Sequence, residues 1–174
     1  MRRVIVIGCP GSGKSTFARK LRDRSGLPLV YLDQIWHKPD RTTVTKEEFD
    51  RRLLEELNRE AWIMDGNYAR TLETRLRYCD TVFFFDLPTE TCLAGAEARV
   101  GKRHEDLPWV EEEFDPEFRQ YIIDFRRDRL PQMRETLKSA PAGVRIVVFR
   151  SREETAEYLR KEFPKSLDFD SALC

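Results

Sequence analysis

The residues best suited to chemistry lie near the start of the chain, in the run Gly8-Cys9-Pro10-Gly11-Ser12-Gly13-Lys14-Ser15. The run matches the pattern G-x-x-x-x-G-K-S, a phosphate-binding P-loop whose curled glycine-rich backbone points N–H groups at phosphate oxygens. Lys14 can reach the β- and γ-phosphates of a nucleoside triphosphate, and the Ser15 hydroxyl can bind Mg²⁺. We therefore expect ATP and Mg²⁺ as cofactors, held by these residues: Gly8, Pro10, Gly11, Ser12, Gly13, Lys14, Ser15 and Thr16.

Such a pattern is meaningful only between a buried strand and a helix, and the flanking sequence predicts both. Val4-Ile5-Val6-Ile7 is a β-branched run typical of an interior parallel strand. The segment from Lys14 to Arg24 has apolar residues at helical spacing, and Gly26 is placed to end it. The start of this helix would add its free N–H groups and the positive end of its dipole to the phosphate site.

Four further apolar segments predict strands at 29–32, 62–64, 81–85 and 144–149, and predicted helices alternate with them. This alternation predicts a three-layer α/β fold, a five-stranded parallel sheet with helices on both faces. Asp33 and Asp65 each follow a predicted strand. Because ligands bind at the carboxyl ends of parallel strands, we expect both carboxylates on the same edge of the sheet as the P-loop.

Capping signals mark the starts of three helices. Thr45 and Ser151 each stand three residues before a glutamate, which is the spacing of a capping box. Asp115, followed by a proline, predicts the start of a long helix that Pro131 should kink. The preceding segment, 103–114, is highly charged and lacks periodicity, so we expect a loop there.

Composition limits the classes of protein that fit. The 174 residues include 31 basic and 31 acidic side chains, so nucleic acid is a possible but not a favoured partner. The N-terminal apolar run ends at Cys9, which is too short for a signal peptide or membrane span. The four cysteines and two histidines show no metal-binding spacing. We expect a cytoplasmic monomer or homodimer with no membrane contact, one domain over 1–163 and a flexible tail over 164–174.

Two other classes of nucleotide-binding protein fit the sequence less well. A dinucleotide-binding Rossmann site needs a third glycine where this chain has Thr16. A GTPase needs an Asn-Lys-x-Asp run, which the sequence lacks, and the one D-x-x-G run, at 23–26, ends the first predicted helix. The chain is also short for a motor-type ATPase. A small kinase remains.

A small kinase places arginines around the transferred phosphoryl group, and helical spacing selects candidates. On a helix expected over 90–102, Arg99 and Arg103 continue the apolar series that begins at Cys92. On the long helix, Arg129 falls on the apolar stripe, where a charge must find a partner. The sequence does not rank Arg129 firmly against three neighbours: Arg119, Arg126 and Arg127.

Several motifs together resemble adenylate kinase and its relatives over nearly the whole chain. They are the P-loop, Asp65-Gly66-Asn67-Tyr68 with Arg70 shortly after, Phe85-Asp86-Leu87-Pro88, and the arginine-flanked loop. The runs 31–36 (YLDQIW) and 65–68 (DGNY) are more similar still to the adenylate-kinase-related proteins labelled DNA topology modulation proteins, the FlaR-like group. Arg129-Leu130-Pro131 also resembles the Arg-x-Pro of shikimate-kinase-like enzymes, in which the arginine faces the acceptor. Adenylate kinases have Asp-Gly-Phe-Pro-Arg where this chain has Asp-Gly-Asn-Tyr-Ala-Arg, so the resemblance does not imply AMP as acceptor.

The resemblance implies a nucleoside-kinase-like P-loop fold with a short lid and an ATP-dependent phosphotransferase activity. The acceptor would be a nucleotide, a nucleoside or another small hydroxyl or phosphate metabolite. We assign Lys14 to catalysis, Asp33 to the acceptor or to general-base catalysis, and Asp65 to the water shell of Mg²⁺ and the substrate. Further expected contacts to phosphate or acceptor come from five residues: Gly66, Arg70, Arg99, Arg103 and Arg129.

Two alternatives remain open from the sequence. The chain could be an ATP-binding regulatory module that acts on DNA topology without turning over a small molecule. Asp33 and Asp65 could also simply cap turns at the ends of strands, and Trp36 could pack in the core rather than stack on an acceptor. The segment 103–114 is a candidate lid that excludes water during transfer, and its alternative is an ordinary solvated loop.

Overall fold

Five parallel strands form one sheet in the computed structural model, which describes residues 1–164. In chain order the strands are β1 (Arg3–Gly8), β2 (Leu29–Tyr31), β3 (Trp62–Asp65), β4 (Thr81–Phe85) and β5 (Arg145–Phe149). Their order across the sheet is β2-β3-β1-β4-β5. The predicted α/β fold with a five-stranded parallel sheet is confirmed. The tail predicted over 164–174 lies outside the described residues, apart from Pro164.

Eight helices accompany the strands within residues 1–164. They are α1 (Lys14–Ser25), α2 (Leu32–Trp36), α3 (Lys46–Leu57), α4 (Ala69–Leu76), α5 (Thr89–Glu97), α6 (Pro116–Asp128), α7 (Leu130–Lys138) and α8 (Arg152–Glu162). In the described part of the chain, none of them is long and apolar enough to cross a membrane.

The central strand β1 sets the position of the P-loop. Its residues 4–7 are fully buried, and β3 and β4 pair with it on either side, with Ile5 opposite both Met64 and Val82. A strand covered on both faces favours a continuous β-branched run, which is what residues 4–7 supply. The P-loop therefore leaves the middle of the sheet, at the edge where the neighbouring strands also end.

Aromatic packing fixes the helix that follows the P-loop. Phe17 of α1 contacts Phe83, Phe85 and Phe149, with ring centroids 4.8, 5.5 and 5.3 Å apart. Such edge-on and tilted pairs add to the stabilisation that burial of the rings provides. The N-terminus of α1 is thus held rigidly against β4 and β5, so its backbone N–H groups keep one direction.

The capping signals correctly predict where three helices begin. The Thr45 hydroxyl accepts a hydrogen bond from Glu48 N at 3.2 Å, and the Ser151 hydroxyl accepts one from Glu154 N at 3.2 Å. The Asp115 carboxylate accepts two bonds, of 2.7 and 3.0 Å, from the first turn of α6. Each cap pairs N–H groups that the helix itself leaves without partners.

The structure corrects two predictions on the early part of the chain. The second strand ends at Tyr31, and the segment that begins at Leu32 is helical through Trp36 instead of extended and then irregular. Leu32 is fully buried and packs against the Gly66 backbone, which favours the turn into α2. Asp33 therefore lies in the first turn of a short helix. Helix α4, over 69–76, is a further element that the sequence analysis did not predict.

Two later helices also differ from the prediction. Helix α5 ends at Glu97 and not at residue 102, because Gly101 adopts a left-handed φ of 74° and its N–H donates to the Glu111 carbonyl at 2.8 Å. The expected long helix is broken into α6 and α7 at Arg129, instead of being kinked at Pro131. Pro131 occupies the first turn of α7, where its missing N–H costs no hydrogen bond.

Candidate active site

The P-loop forms a cradle of backbone N–H groups at the carboxyl end of β1. Gly13 adopts a left-handed φ of 99° immediately before α1, and a side chain on Gly11 would lie 2.0 Å from the Cys92 carbonyl oxygen. Both positions therefore require glycine. Ser12 is fully buried, and its hydroxyl has no hydrogen-bond partner within residues 1–164. An unpaired buried hydroxyl beside a helix N-terminus matches a site for phosphate oxygens.

Lys14 projects from the start of α1 and has no acidic partner in the described chain. Its ammonium group lies 3.4 Å from the Cys9 carbonyl oxygen, which is a weak contact that a phosphate would displace. The first turn of α1 carries no acidic side chain. The positive end of the helix dipole and the Lys14 charge are therefore both available to an anion. These features fit the β- and γ-phosphates expected from the sequence.

The turn after β3 is tied to the P-loop by an amide that the sequence analysis did not select. Asn67 accepts a hydrogen bond on Oδ1 from the Gly8 N–H at 2.9 Å. Arg75, fully buried on α4, donates to the carbonyl oxygens of Gly66 at 2.9 Å, of Asn67, and of Tyr68 at 3.3 Å. Burial lowers the pKa of Arg75 to about 10. Arg75 thus positions the whole turn over 66–68, and its burial agrees with its spacing of four and three residues from the buried Thr71 and Leu72.

Asp65 ends β3 and points at the P-loop. It is 4% exposed, and its Oδ1 has no hydrogen-bond partner in the part of the chain that the structure describes. Burial raises the pKa of Asp65 to about 6, although the charge of Lys14 and a hydrogen bond from Ser15 oppose that rise. A buried, unpaired carboxylate oxygen next to Ser15 suits the coordination shell of a divalent cation.

Asp33 lies in the first turn of α2. The Tyr68 hydroxyl donates to its Oδ1 at 2.7 Å. Burial raises the pKa of Asp33, while the Tyr68 hydrogen bond and the Lys14 charge lower it. Tyr68 itself has a left-handed φ of 36° and stacks on Phe49 with ring centroids 4.9 Å apart. An ordered aromatic side chain therefore holds the Asp33 carboxylate in one orientation.

Two cavities adjoin the P-loop and differ in charge. The first, of about 320 Å³, is lined by no carboxylate of the described residues and is called the basic cavity here. Its positively charged lining residues are Lys14, Arg19, Lys20, Arg99 and Arg152. Arg152, at the start of α8, also donates to the Gly11 carbonyl at 3.2 Å and was missed by the sequence analysis. The capping box at Ser151 was the only signal near it.

The second cavity, of about 360 Å³, is called the acidic cavity. It is lined by four carboxylates, Asp33, Asp65, Asp106 and Glu111. Its aromatic walls are Tyr68, Trp109, Phe118 and Tyr121. The two cavities share Gly11, Lys14, Ser15 and Arg99, so they meet beside the end of the P-loop.

The segment 103–114 forms a wall of both cavities and contains neither helix nor strand. Asp106 within it is 4% exposed and pairs with Arg99 at 2.7 Å and Arg19 at 3.7 Å. Glu105 pairs with Arg22 of α1 at 2.8 Å. The loop predicted from the lack of periodicity is therefore present and is bound to α1 by ion pairs. The sequence analysis did not select Asp106, because the sequence of a highly charged loop does not distinguish an aspartate that is buried from one that is solvated.

The predicted arginines separate into those that reach the site and those that do not. Arg99 lies where the two cavities meet. Arg103 is exposed and lines neither cavity. Arg70 forms two hydrogen bonds of 2.7 and 2.8 Å with Asp50, outside both cavities.

The long-helix arginines also lie outside both cavities. Arg129 is exposed and not on a buried stripe as expected, because the helix breaks at this residue. Its guanidinium carbon lies 5.8 Å from the ring centroid of Tyr121, an acidic-cavity residue. The other three candidates line neither cavity: Arg119, Arg126 and Arg127.

No protein-family model and no curated protein sequence matches this chain. Solved structures that are similar to it include the following three. A gluconokinase from Sinorhizobium meliloti 1021 is 16% identical, with 93% of this chain and 89% of that chain covered and a TM-score of 0.56. A shikimate kinase from Bacteroides thetaiotaomicron is 17% identical, with 92% and 97% covered and a TM-score of 0.60. A shikimate kinase from Acinetobacter baumannii in complex with shikimate is 18% identical, with 96% of each chain covered and a TM-score of 0.60. The chain therefore has the α/β fold of these P-loop kinases.

Proposed function

We propose that this protein is an ATP- and Mg²⁺-dependent phosphotransferase that acts on a small molecule. The observation that carries the proposal is the pair of cavities that meet at Gly11, Lys14, Ser15 and Arg99. The basic cavity suits a nucleoside triphosphate, and the acidic cavity beyond the P-loop suits a hydroxyl-bearing acceptor. The fold shared with proteins named gluconokinase and shikimate kinase supports a small-molecule acceptor.

The nucleotide would be held by backbone and side-chain groups with separate tasks. The P-loop N–H groups and the unpaired Ser12 hydroxyl would bind phosphate oxygens, and Lys14 would neutralise charge at the transferred group. The Ser15 hydroxyl and, through water, the Asp65 carboxylate would hold Mg²⁺. When bound, Mg²⁺ supplies charge neutralisation on the phosphates. Arg99, oriented by Asp106, lies at the boundary that the transferred phosphoryl group would cross.

Asp33 is the proposed general base of the acceptor side. A carboxylate that lines the acidic cavity can accept the proton of an acceptor hydroxyl as that oxygen attacks phosphorus. Burial raises its pKa, which makes it a stronger base than an exposed aspartate. The Tyr68 hydrogen bond fixes its orientation. Asp33 and Asp65 therefore have different tasks, because only Asp65 faces Ser15.

The segment 103–114 is the proposed lid of a single domain that spans 1–163. It contributes His104 to the basic cavity and Trp109 to the acidic cavity, so its closure would exclude water from both. Arg103, Arg129 and Arg70 lie outside the cavities, and we assign the phosphoryl contact to Arg99 alone. The cytoplasmic location and the monomeric or homodimeric state stay predictions from the sequence.

The runs 31–36 and 65–68, which resemble the FlaR-like group of adenylate-kinase-related proteins, supply Asp33, Asp65 and Tyr68 to the acidic cavity. Membership of that group is therefore part of the proposal, and these residues would form its acceptor site. A regulatory module acting on DNA topology would instead bind ATP without turnover and bind DNA in a salt-dependent way.

The test is a transfer screen with ATP labelled at the γ-phosphate and purified full-length protein. The acceptors would be nucleoside monophosphates, nucleosides and small hydroxy compounds. We expect labelled product with at least one acceptor, reduced about 10²- to 10³-fold in Lys14→Ala. Lys46→Ala, which removes an exposed lysine outside both cavities, is the matched control. ATP binding with no product, together with salt-sensitive DNA binding, would favour the regulatory alternative.

A further inference from the structure

The charges of the acidic cavity carry an inference about the acceptor, which rests on the proposed phosphotransferase function. Four carboxylates line this cavity, whereas its positively charged lining residues are Lys14 and Arg99, with His37 as a titratable neighbour. The basic cavity on the other side of the P-loop has the opposite composition. We propose that the acceptor is an uncharged or positively charged hydroxyl compound and that the acidic cavity discriminates against anionic acceptors.

Neither cation of the acidic cavity is free to bind an acceptor anion. Lys14 lies on the P-loop side and is assigned to the phosphates of the donor. Arg99 is assigned to the transferred phosphoryl group, and it also donates to Asp106 at 2.7 Å and lies 3.5 Å from Glu111, so these carboxylates offset its charge toward the acceptor. Asp106 is 4% exposed, and removing Arg99 from it would leave this buried charge with only the longer contact of 3.7 Å to Arg19.

Three arginines outside the cavity are also paired with carboxylates, whereas Arg129, which has no carboxylate partner within residues 1–164, lies against the ring of Tyr121. Arg70 forms a bidentate pair with Asp50, and Arg126 and Arg134 both pair with Asp86. Phosphate and carboxylate groups of ligands are usually held by arginine forks of this kind. An anionic acceptor entering the cavity would instead meet the carboxylates of Asp33 and Glu111, with a repulsion that grows as water is excluded.

The hydrogen-bond acceptors that line the cavity suit a ligand with several hydrogen-bond donors. The Asp33 carboxylate lines the cavity and accepts one side-chain hydrogen bond within residues 1–164, from Tyr68 to Oδ1, and the buried His37 Nδ1 of the lining has no partner there. Carboxylate oxygens accept hydrogen bonds from hydroxyl and ammonium groups. The aromatic walls can cover the flat face of a ring or attract a cation, and they consist of Tyr68, Trp109, Phe118 and Tyr121. Hydroxyl and amine groups therefore satisfy this site, whereas phosphate and carboxylate groups do not.

The experiment is a fragment screen by two-dimensional NMR on the full-length protein, with a non-hydrolysable ATP analogue and Mg²⁺ filling the P-loop side. The library holds equal numbers of anionic, uncharged and cationic hydroxyl compounds, including glucose, glucosamine, gluconate, adenosine and AMP. We expect uncharged and cationic members to shift the amides of 65–68 and the Trp109 indole, with dissociation constants about tenfold lower than those of anionic partners. Tighter or equal binding of anionic members, or no binding of any member at this cavity, would overturn the proposal.

A pair of neighbouring glutamates supplies the variant and its control. Glu111 lines the acidic cavity, and the Glu112 side chain is 85% exposed and does not line it. Glu111→Gln should weaken cationic fragments and strengthen anionic ones, whereas Glu112→Gln should leave the ratio unchanged. The same ratio in both variants and the parent would refute the role of the cavity charge.

Phosphoryl transfer to the same compounds is measured separately. If the protein transfers phosphoryl groups but binds anionic and cationic compounds equally well, only the proposal that the acceptor is uncharged or cationic is contradicted. Intact selectivity without transfer to any acceptor contradicts the phosphotransferase function, because the cavity then binds such compounds without reacting them.

Discussion

Replacing Asp65 by an uncharged residue is a sharp test, because two opposite effects are expected. The buried charge is lost, so the empty protein should become more stable, whereas the proposed Mg²⁺-dependent activity should be lost. The Asp65 carboxylate is 4% exposed, and burial raises its pKa from 3.8 to about 6. Between these values the folded protein binds a proton that the unfolded chain has lost. The free energy of unfolding therefore falls as pH rises through this range and stays lowered above it. A rise of this size corresponds to about 3 kcal/mol, at about 1.4 kcal/mol per pKa unit.

Asp65→Asn keeps the shape of the side chain and removes the charge. In the absence of nucleotide we expect the variant to be more stable than the parent near neutral pH, by up to about 3 kcal/mol. The difference should shrink as pH falls from about 6 and disappear below about pH 3, where the parent carboxyl is protonated in both the folded and the unfolded state. Urea unfolding across this pH range measures the effect, which would raise the melting temperature by about 2–4 °C per kcal/mol. The same variant should lose Mg²⁺-dependent turnover with every acceptor.

Asp50→Asn is the control with the opposite sign. Asp50 is on the surface, and its ion pair with Arg70 lowers its pKa, so its charged form stabilises the protein above its ordinary pKa. We expect its removal to decrease stability slightly near neutral pH and to have no effect on turnover. If Asp65→Asn instead destabilises the empty protein by the same amount at every pH, burial does not disfavour the Asp65 charge. The proposed role of Asp65 near Mg²⁺ would then lose its physical basis.

Three further predictions follow from the site. Asp33→Asn should leave Mg²⁺-ATP affinity nearly unchanged in calorimetric titrations and reduce transfer to the acceptor, and a loss of ATP affinity instead would reverse the roles of the two aspartates. Arg75→Met should lower the free energy of unfolding by roughly 2–4 kcal/mol in urea, because three carbonyl groups lose their donor; unchanged stability would contradict its positioning role. Amides of 103–114 should become protected from hydrogen exchange when a bisubstrate analogue binds, and much less so with ATP alone. Equal exchange in the free and bound protein would show that the segment is not a lid.

The phosphate side of the site could be predicted from the sequence because its parts are local. A P-loop needs one strand, glycines at fixed positions and one helix, and all of them lie within residues 3–25. The carboxylates of Asp33 and Asp65 were also found, because the ends of parallel strands share one edge of the sheet. Asp33 nevertheless lies on α2 and not at a strand end, since the burial of Leu32 turns the chain one residue earlier than expected.

The remaining parts of the site depend on contacts between distant segments. Asp106 could be identified only from the folded structure, in which the loop places its carboxylate 2.7 Å from Arg99. Arg152 reaches the Gly11 carbonyl across 141 positions of the chain. Arg129 was misplaced for a different reason, because helical spacing was continued through a break in the helix. Arg75 lies at the same spacing within the intact helix α4 and is buried, but the sequence analysis did not predict that helix and did not select this residue.

If the segment 103–114 is the proposed lid, its ion pairs would link its closure to the charge of the two cavities. Asp106 binds Arg99 and Arg19, which are two of the cations that line the basic cavity. In the empty protein this carboxylate therefore occupies cations that phosphates would otherwise attract. Phosphates of the proposed nucleotide would compete with Asp106 for the same guanidinium groups, whereas the contact of 3.5 Å with Glu111 would hold Arg99 at the boundary of the acidic cavity. Because Asp106 also raises the pKa of Asp33 and Asp65, its distance from these carboxylates affects their proton affinity. Movement of one short segment would thus change phosphate binding on one side and the strength of the base on the other.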